Sequence, residues 1–437
     1  MNADLAERVL EEARRRADAA EVIYEESEDH SVEFENNVLK GVSADTARGV
    51  GLRVIHRGRI GFSSTTDPEA LGRLVDNALA SAAFGQEARF EFPATCRMPQ
   101  VAVYDPDVAE FTAKQGIAMV RAAIDYLRTQ MPDLHCGGGV SWSLTRRRLL
   151  NSRGLDVELQ TSSFEMGIEA LRVDEDGFLE VGEGRGWRRP TDDLMPQTRR
   201  VAEKIRLAGR TAPPVAGQLP VIFAPKAVGV LLASLAMNTN GKYVQKGVSI
   251  LKDRRGEKIV DERITLWDDS LVDYAPGSLP VDGEGVACRR LPVIEKGVLC
   301  NFCFDLQTAG LLGCESTGSA TRSFSTMPAP SHANLRMEPG ESSLARMIPE
   351  MKRGIVVDQV LGAGQSNVLA GEFSLNLDLG YLIENGEIVG RLKNTMISGN
   401  VFDVLNDLVA IGQPAEWHGS EEVPALWLRG VSVSAGG

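Results

Sequence analysis

The chain has 437 residues and a formal charge of −13, from 47 Lys and Arg against 60 Asp and Glu. At roughly 150 residues per domain, that length predicts two or three domains with sizeable cores. The acidic balance excludes a general binder of nucleic acid or anionic membrane, although two short basic runs stand out at 146–148 and 185–189. The longest apolar runs, such as 228–236, fall far short of the ~18 residues of a membrane span. The first residues lack the basic-then-apolar pattern of a signal peptide, and six cysteines do not make a disulfide scaffold. A soluble cytoplasmic protein is the expectation.

In chain order, residues 2–20 predict an amphipathic helix, with Leu5, Val9, Ala13 and Ala17 recurring every fourth residue. Strands follow: Val22 and Tyr24 alternate with Ile23 and Glu25, and Val32 and Phe34 with Glu33 and Glu35. Further strands are predicted at 49–55 and 60–63. Asp67 and Pro68 then signal a helix start, with Leu71, Leu74, Val75 and Ala78 on one face. A helix over 111–128 precedes strands at 139–144, 148–151, 157–161, 164–173 and 178–180. Residues 195–210 read as a helix, and 211–217, with Pro213 and Pro214, as a linker. The expected domains are therefore 1–212 and 213–437, the first an α+β unit with antiparallel strands. The second opens with a strand at 219–223 and a helix at 226–237, then turns strand-rich and glycine-rich. Asn385-Gly386 between short apolar runs predicts a hairpin.

The candidate chemistry is sparse. His30, His56, His135, His332 and His418 are too far apart for a local ligand pair, and no His-Glu-x-x-His occurs. Cys300 and Cys303 form a lone Cys-x-x-Cys without a second ligand pair, in a stretch that reads as a strand. Structural cysteines are expected. Gly182, Gly184 and Gly186 lack the parallel strand–helix–strand context of a dinucleotide loop and read as a bend. Gly362-Ala363-Gly364 precedes strands, not a helix, so it offers no phosphate cradle. There is no Gly-x-Ser-x-Gly elbow. The residues alone thus define an acidic α+β protein without a complete catalytic motif.

The ordered series Gly49-Val50-Gly51-Leu52-Arg53-Val54, Val281-Asp282-Gly283-Glu284-Gly285-Val286, Glu295-Lys296-Gly297-Val298-Leu299, Asn334-Leu335 and Tyr381-Leu382-Ile383-Glu384-Asn385-Gly386-Glu387-Ile388 resembles the TldD/PmbA (TldE) family. These proteins were once called modulators of DNA gyrase. The resemblance covers nearly the whole chain. It implies a second domain built mainly of antiparallel strands, with a metalloprotease-motif helix at its start. TldD-type chains carry His-Glu-x-x-x-His on that helix and bind zinc. PmbA/TldE-type chains lack it and pair with a TldD-type chain, and the complex cleaves unfolded or extended peptides. Here the matching helix reads Ala233-Ser234-Leu235-Ala236-Met237-Asn238. Ala233 and Asn238 replace the two ligands, and Ser234 replaces the general base that would activate metal-bound water. His418 falls near a C-terminal cysteine of the catalytic relatives.

The resemblance therefore implies a non-catalytic PmbA/TldE-like subunit with no metal of its own, the zinc residing in a catalytic partner. Its expected partners are a TldD-type chain, or a second copy of itself, and a peptide or unfolded polypeptide, with no nucleic acid and no membrane. Asn238, Gly241 and His418 are the expected peptide-chamber surface. The alternatives are a stand-alone metallopeptidase with unrecognised ligands and a non-enzymatic regulatory protein.

Overall fold

A computed structural model describes residues 3–67, 69–95, 97–174 and 177–435. Helix α1 (Ala3–Arg14) leads into the strands β1 (Ala19–Glu35), β2 (Val38–His56) and β3 (Arg59–Thr65). Helices α2 (Leu71–Ala82) and α3 (Ala113–Gln130) follow, then β4 (His135–Asn151), β5 (Asp156–Asp174), β6 (Gly177–Trp187) and helix α4 (Met195–Leu207). The six strands form one antiparallel sheet in the order β3-β2-β1-β4-β5-β6. The period-two stretches around Val22 and Val32 are one 17-residue strand, and those around 139 and 148 are another. The first helix ends earlier than its periodicity suggests, because Ala19 and Ala20 pair with Ile55 and Val54. Helix α2 starts at Leu71 without a side-chain cap. The Pro68 expected at its first position lies outside the described residues. Thr112 caps α3 in a reciprocal box with Gln115.

The two ends of this sheet bury different helices. Val22, Leu52 and Val54 pack on α1 and α2, while Val32, Phe34, Val140, Met166 and Ile168 pack on α3 and α4. The second of these cores also takes in Ile222, Val356, Leu379 and Ile383 from the later half of the chain.

That later half begins with β7 (Gly217–Phe223) and helix α5 (Pro225–Asn238). One sheet then runs through β8 (Leu266–Asp269), β9 (Arg290–Glu295), β10 (Val298–Leu299) and β11 (Leu335–Met337). The other uses β12 (Arg353–Leu361), β13 (Glu372–Glu384), β14 (Thr395–Asn400) and β15 (Leu408–Gln413). A short hairpin, β16 (Glu416–His418) and β17 (Glu421–Val423), joins the β8–β11 sheet, and β18 (Leu426–Ala435) completes the other. The pairs β7–β12, β12–β13, β13–β14, β14–β18 and β18–β7 close a five-stranded ring. All are antiparallel except β7–β12. Asn385 and Gly386 both take positive φ in the predicted hairpin turn. The Cys300–Phe304 stretch, expected as a strand, is not one. Only Cys303 makes an isolated bridge, with Asn240. Among the described residues no helix is long and apolar enough to cross a membrane.

A buried cluster of charges joins the halves. Arg53 on β2 donates from Nε to Glu21 Oε1 at 3.1 Å and from Nη1 to Glu284 Oε1 at 2.6 Å. Arg322 lies 2.7 Å from the same Glu21 oxygen. All four side chains are at most 1% exposed. The rings of Phe90 and Phe92 flank the Arg53 guanidinium at 4.9 and 5.0 Å. Two positive and two negative groups balance, so removing one member strands a buried charge. Replacing Arg53→Ala is expected to lower the unfolding free energy by about 3–5 kcal/mol in urea denaturation. A loss under about 1 kcal/mol would show that the cluster does not hold the halves together.

Candidate functional site

Helix α5 starts cleanly. Ala224 is extended, Pro225 occupies the first turn, and Ala227, Val228, Leu231, Leu232 and Leu235 bury its core face. The polar positions of the degenerate motif are tied to main chain. Ser234 Oγ donates to the Val368 carbonyl at 2.8 Å. Asn238 Nδ2 donates to the carbonyls of Ser234 and Leu369, both at 3.0 Å, and its Oδ1 accepts from Ile250 N at 3.0 Å. Asn238 is fully buried, and its amide uses both donor hydrogens and accepts one bond at its oxygen. Ala233 has no donor atom at all.

These residues do not fit a zinc ion, and no step through one follows from them. Among the described residues no group of three or more His, Cys, Asp or Glu side chains converges as metal ligands.

Asn238 and Gly241 were expected on a chamber surface, and the structure corrects this. Gly241 is buried, and a side chain there would run into Phe304. Asn238 instead stitches the end of α5 to the 249–251 turn and the 368–370 turn, which leaves it nothing to offer a ligand. His418 is different. It is half-buried on the β16–β17 hairpin, and its Nε2 is shielded from solvent without a hydrogen-bond partner among the described residues. Burial lowers its pKa below the usual histidine value, against the pull of Glu183 and Glu416. The hairpin is seated by Trp417, whose ring meets Trp187 edge-on at 5.2 Å, and by Glu416, paired with Arg200 at 2.5 Å.

One residue was not anticipated. Glu421 lies directly across the hairpin from His418. Its carboxylate rests over Gly229, one turn before Ala233, where an added Cβ would come within 2.7 Å of Oε2. Burial pushes the Glu421 carboxyl up to about 7. In sequence, Glu421 and Glu422 simply follow a Gly-Ser turn and look solvated.

Facing this hairpin is a trench in the first sheet. Glu33, Gly139, Gly167 and Gly184 pair in one row across β1, β4, β5 and β6. Gly186 lies two residues along, beside Gly419 of the hairpin turn, in a cavity of about 530 Å³. An adjoining cavity of about 440 Å³ carries the trench to Lys226 in the first turn of α5. Gly182, Gly184 and Gly186 were read as a bend. They lie in a regular strand, and their lack of side chains leaves the sheet backbone bare. Lys226 Nζ closes this end by donating to the Gly182 carbonyl at 2.6 Å and to Gln359 Oε1 at 3.0 Å. Burial lowers its pKa.

The cysteines and the remaining histidines stay outside this site. Cys303 is fully buried. His332 binds Asp268 through Nδ1 at 3.1 Å and Thr239 through Nε2 at 2.9 Å. Burial opposes charge on His332, but Cys303 and Asp268 hold its pKa well above the ordinary value. His30 stacks on Trp142.

Two domain families match this chain: the PmbA/TldA metallopeptidase C-terminal domain over residues 216–435, just over half of the chain, and PmbA/TldA metallopeptidase domain 1 over residues 20–82. The chain belongs to the PmbA/TldD metallopeptidase family. It is 26% identical to Metalloprotease PmbA of Escherichia coli O157:H7, over 97% of this chain and 94% of that protein. It is also 26% identical to a protein of Methanothermobacter thermautotrophicus named Metalloprotease, over 92% and 90%. The fold matches the crystal structure of TldE from Thermococcus kodakarensis with a TM-score of 0.91 at 24% identity, over 99% of this chain and all of that one.

The raised pKa of Glu421 sets a pH test. A carboxyl near 7 in the fold and near 4.5 when unfolded keeps its proton longer in the native state. Stability is therefore lost as pH rises from about 4.5 to about 7. Glu421→Gln is expected to be more stable than the parent by about 1–3 kcal/mol at pH 8, with the gain vanishing near pH 4.5. Parallel thermal melts across that range check it. A gain independent of pH would contradict the assignment.

Proposed function

We propose that this chain is the non-catalytic, PmbA/TldE-like subunit of a two-component zinc metalloprotease. It pairs with a TldD-type catalytic chain and helps to hold an extended peptide. The observation that carries this reading is the state of α5. Its motif positions hold a methyl group and two polar side chains already committed to main chain. The metallopeptidase names of the relatives support the wider setting.

The peptide role rests on the glycine row. A floor of in-register glycine backbone suits an extended polypeptide, because it contacts chain shape rather than particular side chains. Residues 1–212 and 213–437 are proposed as the two domains, supported by the proline linker and by the family match that begins at 216.

A tagged copy purified from the native host tests the pairing. Co-purification of a stoichiometric chain carrying His-Glu-x-x-x-His is expected, with hydrolysis of an unstructured peptide by the pair and none by this chain alone. Recovery of an isolated homo-oligomer would overturn it.

One observation favours a second reading, a peptidase acting alone. His418, whose Nε2 has no hydrogen-bond partner among the described residues, and Glu421 are neighbours with perturbed titration beside α5. Peptide hydrolysis by the isolated chain, abolished in His418→Ala, would establish it.

The trench is tested separately. A Cβ at Gly167 meets nothing closer than 3.5 Å. Gly167→Val is therefore expected to fold with a stability change of about 1 kcal/mol or less. Its affinity for an extended peptide, read by fluorescence anisotropy, should fall by at least about tenfold. Unchanged affinity would remove the trench from the account.

A further inference from the structure

A third cavity, of about 350 Å³, lies between the halves of the chain, and arginines line it. Arg147 enters from β4, Arg188 from just after β6, and Arg322 from the buried charge cluster. Arg188 is nine-tenths buried, yet among the described residues its guanidinium meets no carboxylate. It donates to the carbonyls of Ala275, Ser162, Pro276 and Ser278, at 2.8–3.1 Å. Arg322, with a side chain 1% exposed, spends Nη1 on Glu21, while its Nε and Nη2 have no hydrogen-bond partner among the described residues. Buried guanidinium donors left unmade are costly, and a ligand would satisfy them.

We propose that this cavity is a carboxylate site. It takes one carboxylate against Arg188 and the unpaired side of Arg322, supplied by a small free carboxylic acid or by the C-terminus of a peptide.

The charges favour a monoanion. Arg147 is matched by Glu25 at 2.5 Å. Arg53 and Arg322 share Glu21 and Glu284, and His332 faces Asp268. Arg188 remains as surplus positive charge. Asp282, also on the wall, opposes it, but burial and the Glu284 charge push its carboxyl up to about 7. Three backbone N–H groups already bind it. A single carboxylate adds less negative charge beside Asp282 than a phosphate dianion would. The Nε and Nη2 side of Arg322 is the planar fork that matches the two oxygens of a carboxylate, whereas Arg188 spends four of its five N–H donors on carbonyls. The free-acid form of this proposal does not depend on the peptide reading above, and the peptide form rests on it.

Calorimetric titration of the full chain with acetate, acetyl-trialanine free acid and acetyl-trialanine amide tests the site. At least one of the two acids is expected to bind. The amide should be weaker than the peptide acid by about ten- to a hundredfold if the peptide terminus is the source. Acetate binding as tightly as the peptide acid would assign the site to free acids. Arg188→Gln, and separately Glu21→Gln with Arg322→Gln to keep the buried charges balanced, should lose that binding by at least about tenfold. Arg188 also holds four carbonyls, so wild-type arginine Nε–H resonances followed by NMR provide a readout that needs no variant. They should move with the acid and not with the amide. Absence of binding by both acids, equal affinity for acid and amide in a site insensitive to the arginine changes, or static resonances would overturn the proposal.

Discussion

Four buried charges fix how the two halves of this protein meet. Glu21 and Arg53 belong to adjacent strands of the first sheet, and Glu284 and Arg322 to the loops of the second half. Bringing such groups out of water costs several kcal/mol per ion, and only their mutual pairing offsets it. A hydrophobic interface tolerates sliding, but this one does not, because a small displacement would separate Arg53 Nη1 from Glu284. Glu284 also receives the amide of Leu306 at 2.7 Å, which carries the constraint into the following helical turn. The core shared by the long first sheet and strands β12 and β13 then packs around a registered contact.

That registration positions the rest of the site. It holds the glycine row of β4, β5 and β6 opposite the β16–β17 hairpin, where Trp187 and Trp417 make the contact. The hairpin in turn lays Glu421 over Gly229, where an added Cβ would come within 2.7 Å of Oε2. Helix α5 is thus bounded by the titratable hairpin and by two turns that its own Ser234 and Asn238 secure, and its Lys226 reaches the end of the glycine trench. A helix with polar groups used in this way serves as a wall. This is the physical basis for reading the chain as a supporting subunit of a metallopeptidase rather than its chemical centre.

The legible and illegible parts of this arrangement divide by sequence distance. The alternation of Val32 and Phe34, the Asn385-Gly386 turn and the apolar helix at 226–237 are local signals, and each marks a real element. The resemblance to the TldD/PmbA family was also legible, from short segments in a fixed order. Long strands were read as fragments because charged and glycine residues interrupt their apolar pattern. Gly182, Gly184 and Gly186 looked like a bend because glycine is a general turn residue. Their alignment with Gly167 and Gly139 is a property of strand pairing that no single segment shows. Glu421 was missed for the same reason: its burial comes from a helix almost two hundred residues earlier. Asn238 was placed on a surface because its main-chain partners, at 250 and 369, are distant in sequence.

The central claim is that α5 carries no metal because its donor atoms are absent or already bonded. Equilibrium dialysis of the isolated chain against zinc, followed by elemental analysis of the protein, tests it most directly. No zinc is expected to be retained at the level of one ion per chain, in the parent or in His418→Ala. One tightly held zinc per chain, released by His418→Ala, would contradict it and make this chain a metal site in its own right.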